Sequence, residues 1–283
     1  MHGRFFLFGL GFSGRVIARR LVEAGWSVAG TTRSGEMIDG GEVIDGIETF
    51  AFDRDHPLPE HALAGVTHVL SSVPPDRMGD PVLDLMAAAL GRLDIRWAGY
   101  LSTTGVYGDH GGGWVDEDTP TMPNVERSCR RVAAERQWRD SGLPVHLFRL
   151  AGIYGPGRSA IDTVRAGTAR RIVKPGQVFS RIHVEDIAAT VLASVARPNP
   201  GRLYNVCDDD AAPPQDVIAH ACALLGHACP PDIPWEHAQA TLSPMALSFY
   251  ADNKRVRNDR IKRELGIVLT YPSYREGLAA MLL

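Results

Sequence analysis

Residues 5–20, FFLFGLGFSGRVIARR, decide the fold. An apolar run of strand length, 5–8, meets Gly9-Leu10-Gly11-Phe12-Ser13-Gly14, and behind it Val16, Ile17, Ala18 and Leu21 keep helical spacing until Gly25. Strand, glycine turn and helix form the context in which G-x-G-x-x-G becomes a dinucleotide fingerprint. Gly9 permits the tight turn, Gly11 lets backbone approach a pyrophosphate, and Gly14 lets the helix lie close on the strand. The helix start, at Phe12 and Ser13, offers N–H groups and partial positive charge to the phosphates. The competing reading is a plain strand-to-helix turn rich in glycine. Its position at the head of a strand–helix–strand pattern favours nucleotide binding.

Outward from this turn the pattern repeats. Strands are expected at 27–32, 47–52, 66–73, 97–102, 145–150 and 202–206, and helices at 81–93, 125–141 and, after Arg181 to Asp186, up to 196. Further helices are expected at 215–225 and 260–265. Strands alternating with helices imply an α/β fold, a parallel sheet wrapped on both faces. The apolar face of 81–93 suits core packing or a helix pair between two copies, so the chain is read as monomer or homodimer.

Where an Asp or Glu would bind the ribose 2′-OH of NAD, about 20 residues past the glycines, this chain has Arg33. A guanidinium pairs with a phosphate, so Arg33 beside Thr32 and Ser34 argues for NADP. NAD stays possible through Glu36 or Asp39. Asp53, ending the third strand, would border the adenine, and Ser72, near the end of the fourth, is assigned to the cofactor.

Composition excludes other classes. A formal net charge of −3 gives no case for nucleic acid or an anionic membrane. No apolar run approaches membrane-spanning length, and the first residues lack the features of a signal peptide. Cys129, Cys207, Cys222 and Cys229 lack metal-ligand spacing and read as free thiols of a reducing, cytoplasmic protein, with no metal site expected.

Several motifs stand in one order: Gly9-x-Gly11-x-x-Gly14, then Ser102-Thr103-Thr104-Gly105-Val106-Tyr107-Gly108, then Arg149 with Tyr154-Gly155-Pro156. Arg181-Ile182-His183-Val184-Glu185-Asp186 and Tyr204-Asn205-Val206 follow. Together, over nearly the whole chain, they resemble the extended short-chain dehydrogenase/reductase superfamily of NAD(P)-dependent sugar epimerases and dehydratases. The resemblance implies a Rossmann-type doubly wound parallel sheet with a small interleaved C-terminal substrate domain. The cofactor domain is expected at 1–152 and 180–208, the substrate domain at 153–179 and 209–283.

The resemblance further implies that Thr103 polarises the substrate oxygen. The family's Tyr-x-x-x-Lys, a general acid–base and its ribose-holding lysine, falls on Arg127 and Arg131 in this chain. Arg131 can still hydrogen-bond the ribose. Arg127 cannot lose a proton at neutral pH and cannot replace the tyrosine. This departure puts the chain nearer the atypical members of the superfamily.

The remaining candidates each carry two readings. Thr103 is a substrate hydrogen-bond donor, or a hydroxyl that caps a strand end. Tyr107 and Tyr154 follow strand carboxyl ends, where open α/β sheets bind ligands, and are expected as stand-in proton donors unless they are packing residues. His183 suits a general base by its ordinary pKa, yet its place at a helix start favours a locked imidazole. Thr104, Arg158 and Arg181 are expected on the substrate, the arginines clamping a carboxylate or phosphate, unless they are surface residues. Asp208-Asp209-Asp210 lacks calcium-loop spacing and reads as a solvated turn. The function expected is an NADP-preferring oxidoreductase or epimerase/dehydratase-like protein acting on a small hydroxyl- or carbonyl-bearing, sugar-like substrate. The alternative is a non-catalytic NADP(H)-binding sensor.

Overall fold

In the computed structural model, which describes residues 3–36 and 46–282, the run after Gly3 forms strand β1, Arg4–Phe8. Phe5 to Phe8 are all buried, because both faces of this strand are covered. Alternate side chains serve different cores: Phe5 and Leu7 pack in one, Phe6 and Phe8 in the other. Burying each contributes about 1.5–3 kcal/mol. That density of apolar contact suits β1 to the interior of the sheet.

The other sheet strands are β2 (Ser27–Thr32), β3 (Ile47–Ala51), β4 (Val66–Ser71), β5 (Trp97–Thr103), β6 (Val145–Leu150) and β7 (Leu203–Val206). Their order is β7-β6-β5-β4-β1-β2-β3, every pairing parallel. The strand order reverses between β1 and β4, the crevice where open α/β sheets take ligands.

Helix α1, Phe12–Glu23, buries Ile17, Ala18 and Leu21 on one face of the sheet beside α5, Val184–Ala196; α4, Ala160–Arg165, lies away from that face. On the other face lie α2, Pro81–Leu90, and α3, Glu126–Asp140. Asp80 joins these two. Its Oδ1 accepts from the N–H groups of Val82 and Leu83, capping α2, and its Oδ2 accepts from Trp138 Nε1 at 3.0 Å. The face of α2 is core: Val82, Leu83, Met86 and Leu90 are buried there, while Leu85 points outward. The helix stops at Leu90, capped by Gly91, short of the expected end at 93. β4 likewise ends at Ser71, before the Pro74-Pro75 pair.

A third core is built from Tyr154, Ile161, Val164, Val217, Tyr274 and Leu278 among others, gathered by α4, α6 (Pro214–Leu225) and the helix Tyr274–Ala280. Three short parallel pairs link distant segments: Gly152–Tyr154 with Arg181–His183, Arg171–Val173 with Asp232–Pro234, and Trp114–Val115 with Arg255–Val256. Among the described residues no helix is long and apolar enough to cross a membrane. Cys129 and Cys229 are exposed free thiols, Cys207 and Cys222 buried ones.

Candidate active site

The glycine turn that follows β1 is held from β2 and from the end of β4. Gly9 takes φ +94°, a backbone region that side-chain residues rarely enter. Its N–H donates to Thr31 Oγ1 at 2.9 Å, and its carbonyl accepts from Ser72 Oγ at 2.7 Å. The N–H of Leu10 donates to the Thr31 carbonyl at 2.7 Å. Thr31 escaped the reading of the sequence; a lone threonine inside a strand carries no signal of this task.

Gly11 caps α1 with backbone alone, and no acidic residue stands in the first turn. A Cβ added at Gly11 would meet nothing within 4 Å, so this edge of the turn is open. The first intrahelical bond runs from the Arg15 N–H to the Gly11 carbonyl, leaving first-turn N–H groups without intrahelical acceptors. Open backbone, unspent donors and absent carboxylates suit a dinucleotide pyrophosphate.

A cavity of about 620 Å³ opens here, lined by Gly11, Phe12 and Ser13 and also by Ser72, Thr103 and Thr104. Its far wall includes Arg158, Arg181, Phe249 and Lys254. Thr103 Oγ1 accepts from the Gly105 N–H at 3.1 Å, capping a 3₁₀ turn, Thr104–Tyr107. The hydroxyl proton has no acceptor among the described residues, so capping leaves its donor capacity unspent.

Arg127 and Arg131 also reach this cavity. Arg131 Nη1 donates to the Tyr100 hydroxyl at 3.0 Å and to the Leu101 carbonyl at 2.9 Å. The Arg127 guanidinium carbon lies 4.1 Å from the Phe249 ring centroid. Arg158 leans over Phe12, 5.5 Å from its ring. Arg181 Nη1 is committed to the carbonyls of Phe179 and Ala212, at 2.8 and 3.0 Å.

Both tyrosines need correction as proton donors. Tyr107 is wholly buried, and its hydroxyl donates to Asn205 Oδ1 at 2.7 Å. It does not line the cavity. Burial pushes its phenol up to about 12, far from proton exchange at neutral pH. Tyr154 does line the cavity, but its hydroxyl donates to the Ser273 carbonyl at 3.2 Å and sits hard against Gly277. Burial raises its phenol well above the ordinary tyrosine range.

On the other side of the turn, Arg33 and Ser34 are exposed after β2, and the hydroxyls of Thr32 and Ser34 both donate to the Glu36 carbonyl. Asp39 lies outside the described residues. Asp53 uses Oδ1 within its own turn, accepting from the N–H groups of Asp55 and His56. Its hydrogen bond with His56 Nδ1 holds the carboxyl below its usual range. Asp208 is buried rather than solvated, whereas Asp209 meets Lys262 and Asp210 meets Arg275.

His183 is the N-cap of α5: its Nδ1 accepts from the Glu185 N–H at 3.2 Å. Burial lowers its pKa to about 4, against a small opposing push from Glu185. The folded protein therefore holds a neutral imidazole, while the unfolded chain takes up a proton below about 6.5. The stability that His183 contributes is complete above that pH and declines as pH falls towards 4. His183→Asn keeps a capping acceptor without the titration. Between pH 8 and 5.5, wild type should lose about 1 kcal/mol more than this variant in urea unfolding. Equal losses would remove His183 from the acid sensitivity.

A model of the family described as NAD dependent epimerase/dehydratase matches residues 8–207. Protein YeeZ of Escherichia coli K12 is 27% identical over 278 residues, covering 93% of this chain and 94% of that protein. A solved structure of a conserved protein of unknown function from Silicibacter pomeroyi DSS is 51% identical, with a TM-score of 0.86 over 99% of this chain and 98% of that one. The dTDP-glucose 4,6-dehydratase of Bacillus anthracis, solved with NAD, superposes with a TM-score of 0.79 at 16% identity, covering 99% and 96% of the two chains. That last likeness is one of fold.

Proposed function

Because this chain belongs to the NAD dependent epimerase/dehydratase family, we propose that it is an NADP-preferring oxidoreductase or epimerase/dehydratase-like protein with an atypical active site. Its substrate is a small, sugar-like molecule bearing a hydroxyl or carbonyl. The observation that carries this reading is a single cavity lined by both the glycine turn and Thr103. The nicotinamide, when bound, supplies or accepts a hydride.

The chain's own residues divide the remaining work. Gly11, Phe12 and Ser13 hold the pyrophosphate, while Gly9 and Gly14 set the turn and Ser72 braces it. Arg33, with Thr32 and Ser34, receives the 2′-phosphate; Asp53 stands beside the adenine, and Arg131 turns a remaining nitrogen to the ribose. Thr103 donates its proton to the reacting oxygen as a hydrogen bond. Thr104, Arg158 and Arg181 hold the substrate. Arg127, Arg131, Arg158, Arg181 and Lys254 line the cavity against one carboxylate among the described residues, that of Asp252, so the field suits a substrate with an anionic group. The cofactor domain comprises 1–152 and 180–208, the substrate domain 153–179 and 209–283.

A second reading, the NADP(H) sensor, draws on Arg127 and Arg131 standing where the family keeps its proton relay. Turnover separates the two. With NADPH and a panel of keto-sugars, aldehydes and quinones, loss of the nicotinamide absorbance is expected; silence beside tight NADPH binding would favour the sensor. In calorimetry, Arg33→Asp should weaken NADPH about 10- to 100-fold and NADH little. Equal weakening of both would remove Arg33 from the 2′-phosphate.

A further inference from the structure

A family member without its tyrosine still needs a group that exchanges a proton with the substrate oxygen. The arginines of the cavity wall cannot release one. Tyr107 is not on the wall, and the hydroxyl of Tyr154 is spent on Ser273. The hydroxyls of Thr103 and its neighbours donate hydrogen bonds but hold their protons. Lys254 and Asp252 remain.

Resting on the oxidoreductase reading above, we propose that Lys254 is the proton carrier of this site, donating to the substrate oxygen in reduction and accepting from it in oxidation, with Asp252 as its partner. Lys254 is nearly buried, and its Nζ donates to the Gly108 carbonyl at 2.8 Å and to Asp252 Oδ2 at 3.1 Å. An ammonium carries three donors, so one remains for a ligand in the cavity that Lys254 lines. Gly108 is the C-cap of the same 3₁₀ turn that Thr103 opens, so the contact ties Lys254 to the element that presents Thr103. Asp252 Oδ1 is buried with no hydrogen-bond partner among the described residues.

The segment is rigidly placed. The Asn253 N–H donates to Asp109 Oδ1 at 2.8 Å, and its carbonyl accepts from the N–H groups of His110 and Gly112. Its Nδ2 donates to the Gly176 carbonyl and its Oδ1 accepts from the Val178 N–H. On one side Gln177 Nε2 donates to the Asp252 carbonyl at 2.7 Å; on the other, Arg255–Val256 pairs with Trp114–Val115. Such anchoring is what a preorganised proton donor requires. Burial lowers the Lys254 pKa, opposed by Asp252 and Asp109, which moves the ammonium towards useful acidity.

In the reducing direction the carbonyl carbon takes up a hydride with its electron pair, and the π pair moves to oxygen. One N–H bond of Lys254 breaks, leaving its pair on nitrogen, and an O–H bond forms. The amine then regains a proton from solvent past Asp252. One carbonyl, one hydride and one proton give one alcohol; oxidation reverses each movement.

The test compares Lys254→Met and Lys254→Arg with wild type, using NADPH and the carbonyl panel. Both variants should bind NADPH with near-wild-type affinity in calorimetry and lose a factor of roughly 10²–10⁴ in kcat. Arginine keeps the charge and can reach Gly108 and Asp252, but cannot give up a proton. Added methylamine should restore part of the rate of Lys254→Ala, where truncation leaves room for it, and the alkaline fall in wild-type reduction should vanish in the methionine variant. In ¹³C NMR after reductive methylation, one lysine signal titrating below the ordinary range should be missing from it. Wild-type kcat in Lys254→Arg, or near-wild-type kcat in Lys254→Met, overturns the assignment while the oxidoreductase reading stands. A wild type that binds NADPH but reduces nothing overturns both.

Discussion

Gly14→Ala is expected to weaken NADPH binding on the order of 100-fold and to lower stability by about 1–3 kcal/mol. A Cβ at this position would stand 2.2 Å from the Gly9 carbonyl oxygen and 3.2 Å from its carbon. Both are backbone atoms, and Gly9 cannot retreat, because Thr31 Oγ1 holds its N–H and Ser72 Oγ holds its carbonyl. The strain must move α1 off the turn, and the first-turn N–H groups go with it. Those groups are the ones assigned to the pyrophosphate, so a packing fault becomes a binding fault. Gly11→Ala is the matched control. Its Cβ meets nothing within 4 Å, so stability should hold while the new methyl intrudes on the space assigned to the pyrophosphate. Calorimetry with NADPH and urea unfolding read the two effects separately. Full-strength binding by Gly14→Ala would show that the turn does not hold the cofactor.

How far the sequence announced this arrangement depends on what kind of interaction shaped each part. Inner strands such as β1 were legible because burial on both faces demands an unbroken apolar run, here Phe5 to Phe8. The open backbone at Gly11 was legible because only glycine suits that approach. Boundaries were less so: α2 stops at Gly91 through a local cap, which an apolar face continuing to Leu93 conceals. The tyrosines misled because position after a strand does not tell which way a side chain turns. Tyr107 turns inward to Asn205, and Tyr154 turns to Ser273, a partner far along the chain. Lys254 was missed for the same reason in reverse. It lies in a polar stretch without periodicity, and only long-range contacts with Gly108, Asp109 and Gly176 carry that stretch to the cavity.

Glu135→Leu, the second large effect, should cost about 3–5 kcal/mol, a substantial share of the 5–15 kcal/mol that typically holds a domain folded. Helix α3 has no clear apolar stripe, and among its few buried residues is this carboxylate, nearly inaccessible. Glu135 Oε1 accepts from Arg149 Nε at 3.0 Å and from Ser102 Oγ at 2.6 Å, while Oε2 accepts from Arg149 Nη2 at 2.7 Å. Arg149 in turn lies 4.7 Å from the Tyr107 ring, and Tyr107 reaches Asn205 on β7. The network therefore joins α3 to β5, β6 and β7 directly beneath Thr103. Leucine fills much of the space but strands the guanidinium in a buried site, and that uncompensated charge is the main cost. The double variant Glu135→Leu, Arg149→Met removes both charges and should recover most of the loss. Urea unfolding of wild type, both single variants and the double variant closes the cycle. If the double variant is as unstable as Glu135→Leu alone, shape rather than charge governs this layer, and the ion pair is not what supports the strand that presents Thr103.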